Sequence, residues 1–264
     1  MAMYKFIGCE IIYREACFLA ATLPQRVDVE FLQKGLHDLP TKDMAAQIQR
    51  SIDAVPEDCG YDAILLGYAR CNDGLVGVAA RGIPLVIPRA HDCVTFFFGS
   101  RGAYRDYFDK TPGTYYMTSG WAERNGSGRS AEAAYSAGMD RSDYARPAYG
   151  MEGVMAKLGL ADSYETMVEK YGKENADYII ESLGGWKKCY EKCLYLEMGV
   201  CAEEAFQKTA KEWSRENGWS YECRKGDIGL LRRLFEGGWN DDFLVVPPGA
   251  RIAAKQDETI LAAK

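Results

Sequence analysis

Two histidines and nine cysteines are the side chains of this chain best suited to bind a soft metal or act as nucleophiles. His91-Asp92-Cys93 sets an imidazole and a thiol two residues apart, a His-x-Cys spacing that can put two ligands on one metal. Cys9 ends a short apolar run, and Cys71 follows closely on another. Thiolate and imidazole together favour Zn²⁺ in a tetrahedral site. Cys9, Cys71 and Cys93 are therefore candidate thiolate ligands. His91 is either the fourth ligand or a general base, with Asp92 beside it in the catalytic set. His37 is the weaker ligand candidate, because His37-Asp38-Leu39-Pro40 also reads as a plain turn. Without a metal, the same residues make a nucleophile of Cys71 or Cys93 and a base of His91. A single cysteine at a strand end is more often a small buried hydrophobe than a ligand. What raises these three above that background is their coincidence with the histidines at consecutive turns.

The other six cysteines read as structural: Cys17, Cys59, Cys189, Cys193, Cys201 and Cys223. An odd total with no short repeating spacing is unlike a secreted disulfide scaffold and suits a reducing, cytoplasmic setting. Arg70, Arg89 and Asp73 adjoin the same turns and are the candidate substrate-binding residues, with Arg101 and Arg105 further along. Arginines there suit a carboxylate or phosphate through bidentate hydrogen bonds. Their commoner role is to pair with a neighbouring aspartate. No Walker loop or nucleophile elbow occurs, and Phe98-Gly99-Ser100-Arg101-Gly102 follows a helical stretch rather than a strand, so it is no dinucleotide fingerprint.

These residues need elements to position them, and the apolar pattern supplies an alternation. Strands are expected at Tyr4 to Cys9, Val27 to Leu32, Asp62 to Gly67, Ile83 to Ile87 and Thr114 to Met117. Helices are expected over Glu10 to Leu23, Thr41 to Val55, a short stretch to Arg81, and one opening at Arg89 to Cys93. This order predicts an α/β fold with a doubly wound, mostly parallel sheet of Rossmann-like type and its site at the carboxyl ends of the strands. A helical and loop excursion near 121–185 interrupts it. Its first part, Trp121 to Tyr149, is rich in Gly, Ser and Tyr and nearly free of aliphatic residues, so it is either a surface excursion or a lid over the strand ends. Helical segments follow at Met151 to Leu158 and Ser163 to Leu183. The strand-helix pattern returns from Cys193 to Val246. The expected division is 1–120 as an α/β half with the Cys/His site, 121–150 as the excursion, 151–254 as helices plus a carboxyl-terminal half, and 255–264 as a loose tail.

At 264 residues the chain can bury an ample core, in one domain or two. A net charge of −6 provides no cationic field for general nucleic-acid binding. No apolar run is long enough to span a bilayer, and the amino terminus carries no secretory signal pattern. The expected partner is a small-molecule substrate, with no nucleic acid or membrane; an oligomer is compatible with the sequence.

The pieces that carry this reading also resemble a prokaryotic family, domain of unknown function 1638. The resemblance lies in Gly8-Cys9, Gly35-Leu36-His37 with Pro40, and Gly67 to Gly74 around Cys71. It continues through Pro88-Arg89 with His91-Asp92-Cys93, Gly99-Ser100-Arg101 and Gly113-Thr114-Tyr115-Tyr116, and ends in Gly226-Asp227, Leu230-Leu231, Trp239 and Phe243 to Gly249. The chain departs from the family pattern at Asn72, where the family has glycine, which bears on how closely the backbone approaches the site. The resemblance implies a shared fold and strand-end site. By association with corrinoid-dependent methyl-transfer systems of anaerobes, it points to a corrinoid, bound directly or on a partner protein. The expected function is thus a zinc-dependent enzyme of small-molecule or one-carbon metabolism, with methyl transfer favoured. The alternatives are a metal- or corrinoid-binding accessory protein and a metal-free cysteine enzyme.

Overall fold

The computed structural model describes residues 1–34, 36, 41–71, 73–124, 168–169, 172–173 and 189–264. They fall into two compact units, one formed by Met1–Pro112, Leu196–Glu203 and Arg224–Lys264, the other by Gly113–Tyr195 and Glu204–Cys223.

The first unit is built on a five-stranded sheet, made of β1 (Met3–Cys9), β2 (Arg26–Leu32), β3 (Ala63–Gly67), β4 (Leu85–Pro88) and β8 (Phe243–Val246). Their order across the sheet is β2-β1-β3-β4-β8. β1 pairs in parallel with β2 and β3, and β3 with β4, while β8 runs antiparallel to β4. The molecule is thus mixed α/β with a mostly parallel central sheet. The chain leaves β1 toward β2 and then returns to build β3 on the other side. The ends of β1 and β3 therefore flank the point where strand order reverses, which is where open α/β sheets hold their ligands.

Both faces of the sheet are covered. Ile7, Ile64 and Leu66 share a buried cluster with Met44, Ile48 and Ile52, the i, i+4, i+8 face of α2 (Thr41–Asp53). Each such side chain, fully buried, contributes on the order of 1.5–3 kcal/mol. The alternate residue Phe6 points the other way and stacks on Phe235 of α6 (Gly229–Glu236), with ring centroids 4.9 Å apart. The Phe6 ring lies across Gly8 and Gly67, which face each other in register. A Cβ on Gly67 would come within 2.2 Å of that ring, and one on Gly8 within 2.5 Å. α1 (Tyr13–Thr22) is preceded by a 3₁₀ turn over Glu10–Ile12, so the expected single helix begins with a tighter entry.

Several expectations are corrected here. The carboxyl-terminal segment is divided between the two units: Glu204–Cys223 lies in the second, while β8 completes the amino-terminal sheet. Nor is the tail loose: β9 (Ile252–Ala254) and β10 (Leu261–Ala263) form an antiparallel pair, and Ile260 and Leu261 are buried. Two apolar residues in an otherwise polar or small tail are enough to seat it in the core. The short helix expected after Gly74 is instead a series of turns that bury Leu75, Val78 and Ala80. The helix expected from Arg89 onward is a 3₁₀ turn over Cys93–Phe97, followed by α3 (Arg101–Lys110).

The second unit holds β5 (Thr114–Met117), β6 (Lys192–Glu197) and β7 (Ser220–Lys225) in that order, with β5 and β6 parallel. α4 (Ser119–Arg124) packs with α5 (Glu204–Glu216), and Met117, Cys193, Tyr195, Ala210 and Trp219 form the buried centre. The lid assigned to Trp121 to Tyr149 lies outside the described residues from position 125 on. The same holds for the helix expected at 151–158 and for nearly all of that at 163–183.

Candidate functional site

Backbone hydrogen bonds set the site. Arg70 N–H donates to Ala90 O at 2.9 Å and Cys71 N–H to His91 O at 3.1 Å, tying the loop after β3 to the loop after β4. The Cys71 loop is sharply bent: Cys71 has φ of 20° and Asp73 of 55°, in the left-handed region that side chains other than glycine seldom enter. Gly74 N–H closes the turn on Cys71 O at 3.0 Å. Opposite it, Asp92 caps the 3₁₀ turn, accepting from Thr95 N–H at 3.3 Å and from the Tyr104 hydroxyl at 2.9 Å. Burial pushes the Asp92 carboxyl above the ordinary carboxylate range.

This arrangement brings two thiols together. The Cys71 and Cys93 thiols interact closely, and hydrogen bonding from Cys93, with backbone N–H groups of Cys93 and Ala69, favours a charge on the Cys71 sulfur. That hydrogen bond holds Cys71 below the usual thiol range in spite of its burial, and Cys93 is pushed well up by the same contact and by its own burial. The pair thus gives up its first proton more readily than an isolated thiol and its second far less readily. Cys9, at the end of β1, is close enough to feel the charge of Cys71 and to act on Cys93, and burial raises its thiol to about 12. Among the described residues, no group of three or more His, Cys, Asp or Glu side chains stands arranged to hold a metal ion. His37 lies outside the described residues.

His91 is exposed and lines a cleft of about 280 Å³ together with Asp92, Thr95, Arg101, Tyr104, Arg105, Phe108 and Ile260. The arginines expected to meet substrate are engaged elsewhere. Arg70 pairs with Asp73 and donates to Lys255 O at 3.1 Å. Arg89 donates to Phe243 O at 3.2 Å, to Thr259 O at 2.7 Å and to Leu261 O. Both thereby fasten the carboxyl-terminal segment beside the strand ends. The cleft instead draws on Arg101 and Arg105. Their spacing with Tyr104 and Phe108 (i, i+3, i+4, i+7) is the signal that they share one face of α3. Ile260, by contrast, comes from a tail position with no local signal for a site.

A family model described as Protein of unknown function (DUF1638) matches residues 31–235. That span holds Cys71, the His91-Asp92-Cys93 turn and all of α3, and begins after Cys9. No curated protein and no solved structure matches the chain.

Proposed function

The chain belongs to the DUF1638 family, and we propose, from the site itself, that it is a thiol-centred enzyme of small-molecule metabolism in which Cys71 is the nucleophile. What carries this reading is the pairing of the buried Cys71 and Cys93 thiols in the turns after β3 and β4, in which Cys93 favours the Cys71 thiolate. A thiolate, not a thiol, is the reactive form. The site has the second mark of a working nucleophile, a backbone bent into a sparsely populated conformation at Cys71 and Asp73. In the step we assign, the Cys71 sulfur forms a bond to an electrophilic carbon of the substrate. The leaving group departs with the electron pair of the bond it gives up, and we assign to His91, in the neighbouring turn, the supply of a proton to it. Location at the reversal of strand order supports the doubly wound, Rossmann-like reading of the fold.

Limiting iodoacetamide near neutral pH, with mapping of the modified peptides by mass spectrometry, tests this directly. Exposure alone favours Cys189 and Cys223. Cys71 should nevertheless react first of the nine cysteines. Faster labelling of the two exposed cysteines, with Cys71 inert, would overturn the assignment.

Zinc binding is the second reading, favoured by the mutual influence of Cys9, Cys71 and Cys93 at one crevice. It requires the three thiols to turn onto a common centre, and on it these residues would hold a Lewis acid able to ionise a substrate thiol for methyl transfer. Elemental analysis of untagged, anaerobically purified protein decides it. Stoichiometric zinc that falls in each Cys→Ser variant supports this reading, and metal-free protein with a reactive Cys71 rejects it.

A further inference from the structure

The cleft on α3 already contains a carboxylate from the chain itself. Glu258, in the loop between β9 and β10, reaches Arg105 with both oxygens, at 2.8 Å to Nη2 and 3.5 Å to Nη1. This is an end-on fork, through both terminal nitrogens, by which arginine recognises carboxylates. Arg101 donates to the Glu258 backbone carbonyl. Arg105 foremost, with Arg101 and His91 behind it, holds the Glu258 carboxyl below the usual range.

The geometry points to a binding site for the carboxylate of a small ligand with an apolar body, in which Glu258 is an internal stand-in that such a ligand displaces. Four features of the cleft argue for it. Both partners of the Arg105–Glu258 pair are more than half exposed, so water screens the pair and a competing carboxylate can replace it. Donor groups converge from two elements: the Arg101 and Arg105 guanidiniums from α3, and the His91 imidazole from the loop after β4. Of the acidic neighbours, Asp92 is engaged by Tyr104 and Thr95 and Asp242 by Arg233 at 3.1 Å and Arg101 at 3.6 Å, while Asp106 and Asp109 act on Arg105 only through their charge. Finally, Tyr104, Phe108 and Ile260 give the cleft an apolar wall, and Phe108 is 50% exposed at it.

The size selects among ligands. A cleft of about 280 Å³ falls just below the ~300–1,000 Å³ of drug-sized sites, so a ring or short chain bearing one carboxylate suits it. The loop that carries Glu258 is anchored on either side of it, by Arg70 at Lys255 O and by Arg89 at Thr259 O. Ile260 is held at φ of 61°, a conformation that β-branched residues rarely adopt. The Glu258 side chain can therefore swing out while the loop backbone stays fixed. The inference stands on the cleft alone and needs no reactivity at Cys71.

Binding of phenylacetate, with phenylacetamide as its uncharged counterpart, measured by calorimetry on the full chain, is the test. The wild type should bind the acid and not the amide. Glu258→Gln should bind the acid roughly two- to fivefold more tightly, the range that release of an exposed ion pair supports. Arg105→Gln should lose binding, and Arg105→Lys, which keeps the charge without the fork, should recover only part of it. Both positions are exposed, so thermal melting should match the wild type and certify folding. Equal affinity for acid and amide, no binding of the acid, or no gain in Glu258→Gln would each overturn the proposal. Because the readout is binding, its failure is distinct from a failure of the alkylation experiment on Cys71.

Discussion

At Cys71, three constraints act on one residue: a left-handed backbone, an N–H committed to His91 O, and a sulfur paired with the buried Cys93 thiol. Holding a non-glycine residue in such a conformation costs on the order of 1–3 kcal/mol and persists only where surrounding contacts over-determine it. The Arg70–Asp73 pair and the Gly74 hydrogen bond provide that surrounding. Asp92 does comparable work across the site, since one of its oxygens caps the 3₁₀ turn and the other accepts from Tyr104. Asp92→Ala should therefore cost about 1–2 kcal/mol, the upper part of the range for a lost N-cap, and Tyr104→Phe about 0.5–1.5 kcal/mol for one hydrogen bond. Urea unfolding of the two variants measures both. A larger loss in Tyr104→Phe than in Asp92→Ala would show that the capping account is wrong. The placement of Cys9, Cys71, His91 and Cys93 at strand ends was legible in the sequence because each ends or follows a recognisable strand. The Arg70–Asp73 pair is the expected kind of local pairing, but the carbonyls that Arg70 and Arg89 also meet lie 185 and 170 residues away in the chain and leave no local pattern.

At the scale of elements, the strand ends of β1 and β3 are brought together by what is missing from Gly8 and Gly67. Gly67→Ala should destabilise by about 1–3 kcal/mol through overpacking against Phe6, and trimming the ring in the background of Phe6→Leu should recover part of that loss. Additive losses in the double variant would contradict a direct clash. The tail makes a similar point: Leu261 is fully buried, so Leu261→Ala should cost about 2–5 kcal/mol, whereas a loose tail would show almost no change. The parallel strands were readable as short apolar runs divided by helices. The direction of β8 was not, since an apolar strand has the same pattern whether it pairs parallel or antiparallel. Likewise, a 3₁₀ turn and a short helix share their first-turn signals, which is why the segment after Asp92 was expected to continue as a helix.

For the whole molecule, the carboxyl-terminal region is built into the amino-terminal sheet through β8 and packs its last two strands against the same core. Removing residues from Phe243 onward would expose the edge of β4 and take Leu244, Val246, Ile252, Ile260 and Leu261 out of the core. Such a truncation should lose its cooperative melting transition, and a cooperatively folding product would refute this account of the sheet. The alternation of strands and helices was enough to expect an α/β protein with its site at the strand ends. The interleaving of two units was not readable, because each draws on distant stretches of chain. Among the described residues no helix is long and apolar enough to cross a membrane. The central claim, a Cys71 thiolate held by Cys93, is met most directly by the pH dependence of alkylation at Cys71 in the wild type and in Cys93→Ala. Donation from Cys93 stabilises the thiolate, so the wild-type rate should rise with a midpoint below that of an ordinary thiol. Removing the donor should move the midpoint upward, because burial then acts on Cys71 with less to offset it. A wild-type midpoint at or above the ordinary thiol value, or one that Cys93→Ala leaves in place, would contradict the account.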